Sequence, residues 1–289
     1  MAFIPRYAVR TAKPVVTFEE ERKSTSAVAE RFIKVRGTRL YYLGITCDTC
    51  AYLFEKRGYE YRLSPNEIAT RLQQAVDLLD PDLLASIAAL LPPDDYRVVE
   101  TKFVPRATGP CAPDDYFAHE SVAFFGLDPA TGVPDNPRVR YWRAGESVLP
   151  DGVGAPRIRF TAAGERPPSP QLFYHLLVPM EPPHVLDRAR IDEFRGSMEA
   201  GGRPAAIGVS VLDVRATAVG AGADADEALG DGAIWCLTTL LLDGHHKVQA
   251  ASEAGLPVRL LTFLAARPSV ATEADLDVAL QELASWGDS

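Results

Sequence analysis

The chain has 289 residues, 47% hydrophobic and 24% charged, with 30 Lys+Arg against 39 Asp+Glu for a net charge of -9. That balance suits a globular protein with one large core or two moderate ones, and no apolar run is long enough to form a bilayer-spanning helix. The acidity is confined to one part: residues 167–289 hold 8 basic and 17 acidic residues and residues 1–166 hold 22 of each, so the C-terminal part lacks the Lys/Arg density that binds a phosphate backbone.

The opening MAFIPRYAVRTAKP has no apolar core followed by a small-residue cleavage site, which argues against a secretory signal. Four cysteines (Cys47, Cys50, Cys111, Cys236) are too few for a disulfide scaffold, and a reducing cytoplasm is expected. Arg39–Ile45 reads as a strand and Cys47–Arg57 as a helix after it. Ser64-Pro65-Asn66-Glu67 is a capping box with proline at the first helical position, and Ile68, Leu72, Val76 and Leu79 continue at helical spacing. Asp80-Pro81 opens a short helix that Pro92-Pro93 stops, Tyr96–Val104 follows as a strand and Asp115–Phe125 as a helix. Strands near Val139–Trp142 and Arg157–Phe160 complete a mixed part of unassigned topology.

Residues 144–170 are rich in glycine and proline and close on Arg166-Pro167-Pro168-Ser169-Pro170, an extended, donor-poor run that suits a domain boundary. Two units are therefore expected, residues 1–166 and 167–289, in a mixed α/β (α+β) chain. In the second, Leu172–Val178 reads as a strand, Asp187 caps a helix through Glu199, and Gly201-Gly202 ends it. Pro204–Leu212 is a strand, a Gly/Ala/Asp loop occupies 216–232, and Ile234–Leu242 is strongly apolar. A small-residue helix then runs to Ala254 and Gly255, Pro257–Leu264 is a strand, and Glu273–Trp286 is an amphipathic helix with Leu276, Leu280 and Leu283 inward.

The junction Asp243-Gly244-His245-His246-Lys247 joins an apolar segment to a helix start. Gly244 permits a tight turn or close ligand approach, free N–H groups and a positive dipole end open the helix, and Lys247 adds charge in its first turn. Such a turn suits a phosphate. The plainer alternative makes Asp243 a helix cap and leaves the histidines in solvent.

The order of glycine-ended helix, GRPAAIGVSVL strand, CLTTLLLDGHHK turn, Ala-rich helix and PVRLL strand resembles the ParB/sulfiredoxin superfamily over about residues 172–266. In that superfamily this turn binds nucleotide phosphates. The Asp243-Gly244-His245 form is most similar to the free-serine kinases of the fold, with Lys247 at their arginine position, which keeps charge but loses bidentate contact. The sulfiredoxin cysteine is missing, since His245 stands in its place.

The resemblance implies ATP or ADP with Mg²⁺, Asp243 and His245 in catalysis, and Gly244, His245, His246 and Lys247 around the phosphates. Arg203 is a further phosphate candidate, its alternative a solvated helix-end arginine. Glu181, Glu193 and Glu199 are candidates for the general base.

Cys47-Asp48-Thr49-Cys50 admits a dithiol redox site at a helix start, a Zn²⁺ site completed by Cys111 and His119, or inert thiols. Cys236, within an apolar run, reads as a buried small hydrophobe. His119-Glu120 could join a domain-interface site, its alternative a surface histidine on a helix. His175 and His184 flank the strand leading to Pro179, where the superfamily places its substrate side, and His184 could face the pocket, its alternative a loop histidine. The functions in view are a phosphotransferase acting on a small hydroxyl compound such as a free amino acid, a non-catalytic nucleotide-binding switch, and a CxxC-based zinc or redox protein. No recognisable helix-turn-helix supports nucleic-acid binding, and no membrane role is expected.

Overall fold

The computed structural model describes residues 6–10, 14, 16–21, 30–35, 37–44, 53–56, 78–79, 81–107, 142–149, 171–179, 186–216 and 233–287. In chain order the first strands are β1 (Arg6–Val9), β2 (Val16–Glu21), β3 (Glu30–Val35), β4 (Thr38–Gly44) and β5 (Leu53–Lys56). Helix α1 (Pro81–Ala88), β6 (Asp94–Phe103), β7 (Arg106–Ala107), β8 (Trp142–Leu149) and β9 (Gln171–Pro179) follow. Then come α2 (Arg188–Glu199), β10 (Ala205–Ala216), β11 (Ala233–Asp243), α3 (His245–Ala254), β12 (Val258–Ala265) and α4 (Glu273–Gly287). The chain is a mixed α/β protein. No described helix is long and apolar enough to cross a membrane.

An eight-stranded sheet runs β1-β6-β12-β10-β11-β9-β8-β7, and β2-β3-β4-β5 form an antiparallel second sheet. In the large sheet β12 lies parallel to β10 and β9 parallel to β11, while the other neighbours are antiparallel. Its four central strands come from residues 167–289, and strands from residues 1–166 extend both edges. The boundary expected near residue 166 is therefore crossed by the sheet on two sides.

Three expected elements differ. Leu53–Lys56, expected as the end of a helix from Cys47 to Arg57, is a strand paired with β4. Its opening Leu53-Phe54 pair fits a sheet, and the partner strand overrides a local helical reading. The linker expected from residue 144 begins as β8, whose 142–149 backbone pairs with β9. Leu78 and Leu79, expected in a helix, form a turn before α1. Residues 115–125 and 157–160 lie outside the described residues.

Strand alternation places two apolar faces on the large sheet. Val209, Val211, Leu240 and Phe263 point to one side and pack against Leu83 and Ile87 of α1 and Val16 and Ile33 of the second sheet. On the other side are two apolar patches. One packs beneath Ile191 and Met198 of α2 and Val248, Ala250 and Ala251 of α3; the small residues let α3 lie close. The other packs beneath Leu276, Ala279, Leu280 and Leu283 of α4, the leucines inward as their spacing predicts. Thr272 and Asp275 cap α4 reciprocally: Asp275 N–H donates to Thr272 Oγ1 at 3.1 Å and Thr272 N–H to Asp275 Oδ2 at 2.6 Å.

Between the two patches runs a buried polar row. It takes one residue from each of five neighbouring strands: Thr101, Thr262, Ser210, Thr239 and His175, none more than 2% exposed. Ser210 shares hydrogen bonds with Thr262 and Thr239, Thr239 with His175 Nε2 at 2.8 Å, and Thr101 donates to Leu283 O at 2.8 Å. Each hydroxyl thus finds a partner, Thr101 on α4 and the others within the sheet, as burial demands.

Candidate functional site

The apolar run of β11 ends at Asp243, and Gly244 turns the chain into α3 with φ 99°. A side chain at Gly244 is barred twice over: the backbone is left-handed, and an added Cβ would lie 2.6 Å from Ala206 Cβ. The glycine serves close packing on β10. It is also the N-cap residue, and no side chain caps the first turn of α3. Asp243 therefore does not act as the helix cap.

Instead Asp243 accepts from the Lys247 ammonium at 3.2 Å, one turn on, and Lys247 also donates to Ala205 O at 2.8 Å. Both side chains are about four-fifths buried, with 22% and 16% exposed for Lys247 and Asp243. The ammonium lies 5.8 Å from the centre of the Phe194 ring of α2. His245 turns inward and is 5% exposed. A ligand at this turn would meet its backbone N–H, not its imidazole.

His246 points the other way, to the start of α2. Its Nε2 accepts from the Asp187 backbone N–H at 2.9 Å, and Asp187 in turn caps α2 by accepting from Ala189 N–H at 2.8 Å. Burial, then the charge of Arg190, pulls the His246 pKa below the ordinary histidine value, which keeps the ring neutral and able to accept. This contact brings two helix N-termini together. The first turn of α2 holds Arg188 and Arg190 and no acid, the reverse of what the helix dipole favours. Arg188 is braced by Glu253 of α3 at 2.7 Å and by Asp192 at 2.6 Å.

Of the other expected residues, Arg203 is exposed and stands two positions before Ala205, the start of β10, whose carbonyl accepts from Lys247. Glu193 and Glu199 are exposed on α2. Glu199 is the last residue of that helix, about 16 Å along the axis from its start. His175 is wholly buried in the polar row and faces no pocket. Cys236 is buried, and burial pushes its thiol pKa well up, as suits an inert core residue. Cys47, Cys50, Cys111, His119, Glu120, Glu181 and His184 lie outside the described residues. Among the described residues no group of three or more His, Cys, Asp or Glu is placed to hold a metal ion.

Sequence reading missed Arg190. Its signal was present: arginines one and three positions after a helix-capping aspartate. No family model, curated protein or solved structure matches this chain.

Proposed function

We propose that residues 172–266 are a ParB/sulfiredoxin-like unit whose Asp243–Lys247 turn receives nucleotide phosphate, and that the protein is a nucleotide-dependent phosphotransferase acting on a small hydroxyl compound such as a free amino acid. The observation that carries the reading is the meeting of two helix N-termini at His246, the start of α3 uncapped by any side chain, with Lys247 and Arg190 beside them. Converging N–H groups and cations form an anion site. A phosphate there would compete with Asp243 for the Lys247 ammonium. Asp243, released from its ion pair, could then organise Mg²⁺ carried in with ATP or ADP.

The burial of His245 favours a second reading, a nucleotide-binding switch without small-molecule catalysis. Calorimetry with ATP, ADP and CTP in Mg²⁺ tests the site, and ³¹P NMR with free serine as acceptor separates the two readings. Lys247→Ala is expected to weaken nucleotide binding about tenfold or more, the loss of a charged hydrogen bond. Asp243→Asn should keep binding while abolishing phosphorylated product. Binding without product in the wild-type protein supports the switch. Failure of all three nucleotides to bind tighter than about 1 mM removes both readings.

A further inference from the structure

A cleft of about 310 Å³ lies between the second sheet and the large one, at the small end of the range for ligand pockets. Phe18, Phe32, Pro92, Pro93, Asp94 and Arg267 line it. It is remote from the Asp243–Lys247 turn. That turn adjoins Ala205, which pairs with Arg259 at the start of β12, whereas Arg267 lies beyond Ala265, the end of β12, itself about 20 Å along the strand from Arg259.

The charges around the cleft do not cancel evenly. Arg31 is spent on a bidentate pair with Asp213 of β10, and Glu19 on Arg39 and Lys34 at its side. Asp94 is different. Its carboxylate is 2% exposed and receives two kinds of backbone donor, Asp95 N–H at 2.7 Å and Arg267 N–H at 3.3 Å to each oxygen. The nearest guanidinium atom, Arg267 Nε, is 4.0 Å away on a side chain that is 69% exposed. A carboxylate has about four acceptor positions, and a buried one without a contact cation is costly to keep charged. Burial accordingly raises its pKa.

We propose that this cleft binds a small organic cation, an ammonium or guanidinium on an apolar stem, with Asp94 as its counter-charge and Phe18 and the flanking prolines around the stem. The acidic floor opposes an anion, and the proline and phenylalanine walls favour an apolar body over a bare metal ion. The site is independent of the phosphate reading.

The test is a charge series on one shape: phenethylamine, 2-phenylethanol and phenylacetate, titrated into the full-length protein and followed by NMR and calorimetry. Phenethylamine is expected to bind at least about tenfold tighter than the neutral alcohol, the scale of one charged hydrogen bond, and phenylacetate least of the three. Asp94→Asn should remove the preference for the amine. Arg267→Ala, which deletes a competing cation, should leave phenethylamine binding equal or tighter. Equal binding of the three probes, preference for phenylacetate, or weaker amine binding in Arg267→Ala would each overturn the proposal. The probe series on the wild-type protein decides the matter even if Asp94→Asn fails to fold, because Asp94 would then be a structural anchor only where the amine preference is also missing.

Discussion

His175 shows most directly how one side chain couples the core to solution conditions. Its ring is wholly buried, edge-on to Phe103 at 5.7 Å and against Trp286 of α4 at 5.9 Å, and Nδ1 has no hydrogen-bond partner. Burial holds its pKa down to about 3 against an ordinary 6.5. The unfolded chain takes up a proton as the pH falls through 6.5, while the folded chain does not until about 3. Its contribution to stability is therefore complete above pH 6.5 and is lost as the pH falls toward 3, at about 1.4 kcal/mol per pH unit. Urea midpoints measured from pH 7.5 to 4.5 should fall more steeply for the wild-type protein than for His175→Gln, in which the titrating group is gone. Parallel curves for the two proteins would contradict this account.

The two sheets are joined by a side-chain clamp. Arg31 of β3 reaches across to Asp213 of β10 with both guanidinium Nη atoms and also donates to Pro268 O at 2.9 Å, while Val270 N–H donates to Asp213 Oδ1 at 3.4 Å. The pair is only 14% and 6% exposed, so solvent screens it little. Removing one partner leaves the other charge buried. Asp213→Ala is expected to cost about 3–5 kcal/mol in urea unfolding, and the double change Arg31→Met with Asp213→Leu should recover most of it. If the double variant is as unstable as the single one, the cost lies in packing and not in the stranded charge.

For the whole molecule, the sheet makes the two parts of the chain depend on each other. Residues 167–289 supply β12-β10-β11-β9, a continuous block, but both of its edges are paired by β6 and β8. One of its faces is covered by α1 and the second sheet, all from residues 1–166. Alone, the block would expose two unpaired edges and the apolar face of Val209, Val211, Leu240 and Phe263, a surface prone to association. A fragment of residues 167–289 is expected to aggregate or to give a poorly dispersed NMR spectrum, and the full chain to unfold in a single transition. A monomeric, well-dispersed fragment would show that the central strands suffice.

The strands and helices from β9 to α4 were legible in the sequence because each repeats a strong local pattern: apolar alternation or runs for the strands, caps and 3.6-residue spacing for the helices. β2 and β3 were not. VTFEEE ends in three acidic residues and ERFIKV has charges on both sides of Phe-Ile, and pairing and packing against the large sheet favour extended chain there. At the turn, the sequence by itself determined that Asp243, Gly244 and Lys247 meet where a strand enters a helix, since their spacing spans one helical turn. Which way each side chain faces was decided by tertiary contacts: His245 goes inward, His246 binds the Asp187 N–H of another helix, and Ala206 of β10 requires the glycine. The polar row and the Asp94 cleft depend on register between strands distant in sequence. Thr101 and His175, or Phe18 and Arg267, carry no local signal that they share a surface, because hydrogen-bonded pairing across the sheet, not spacing along the chain, brings them together.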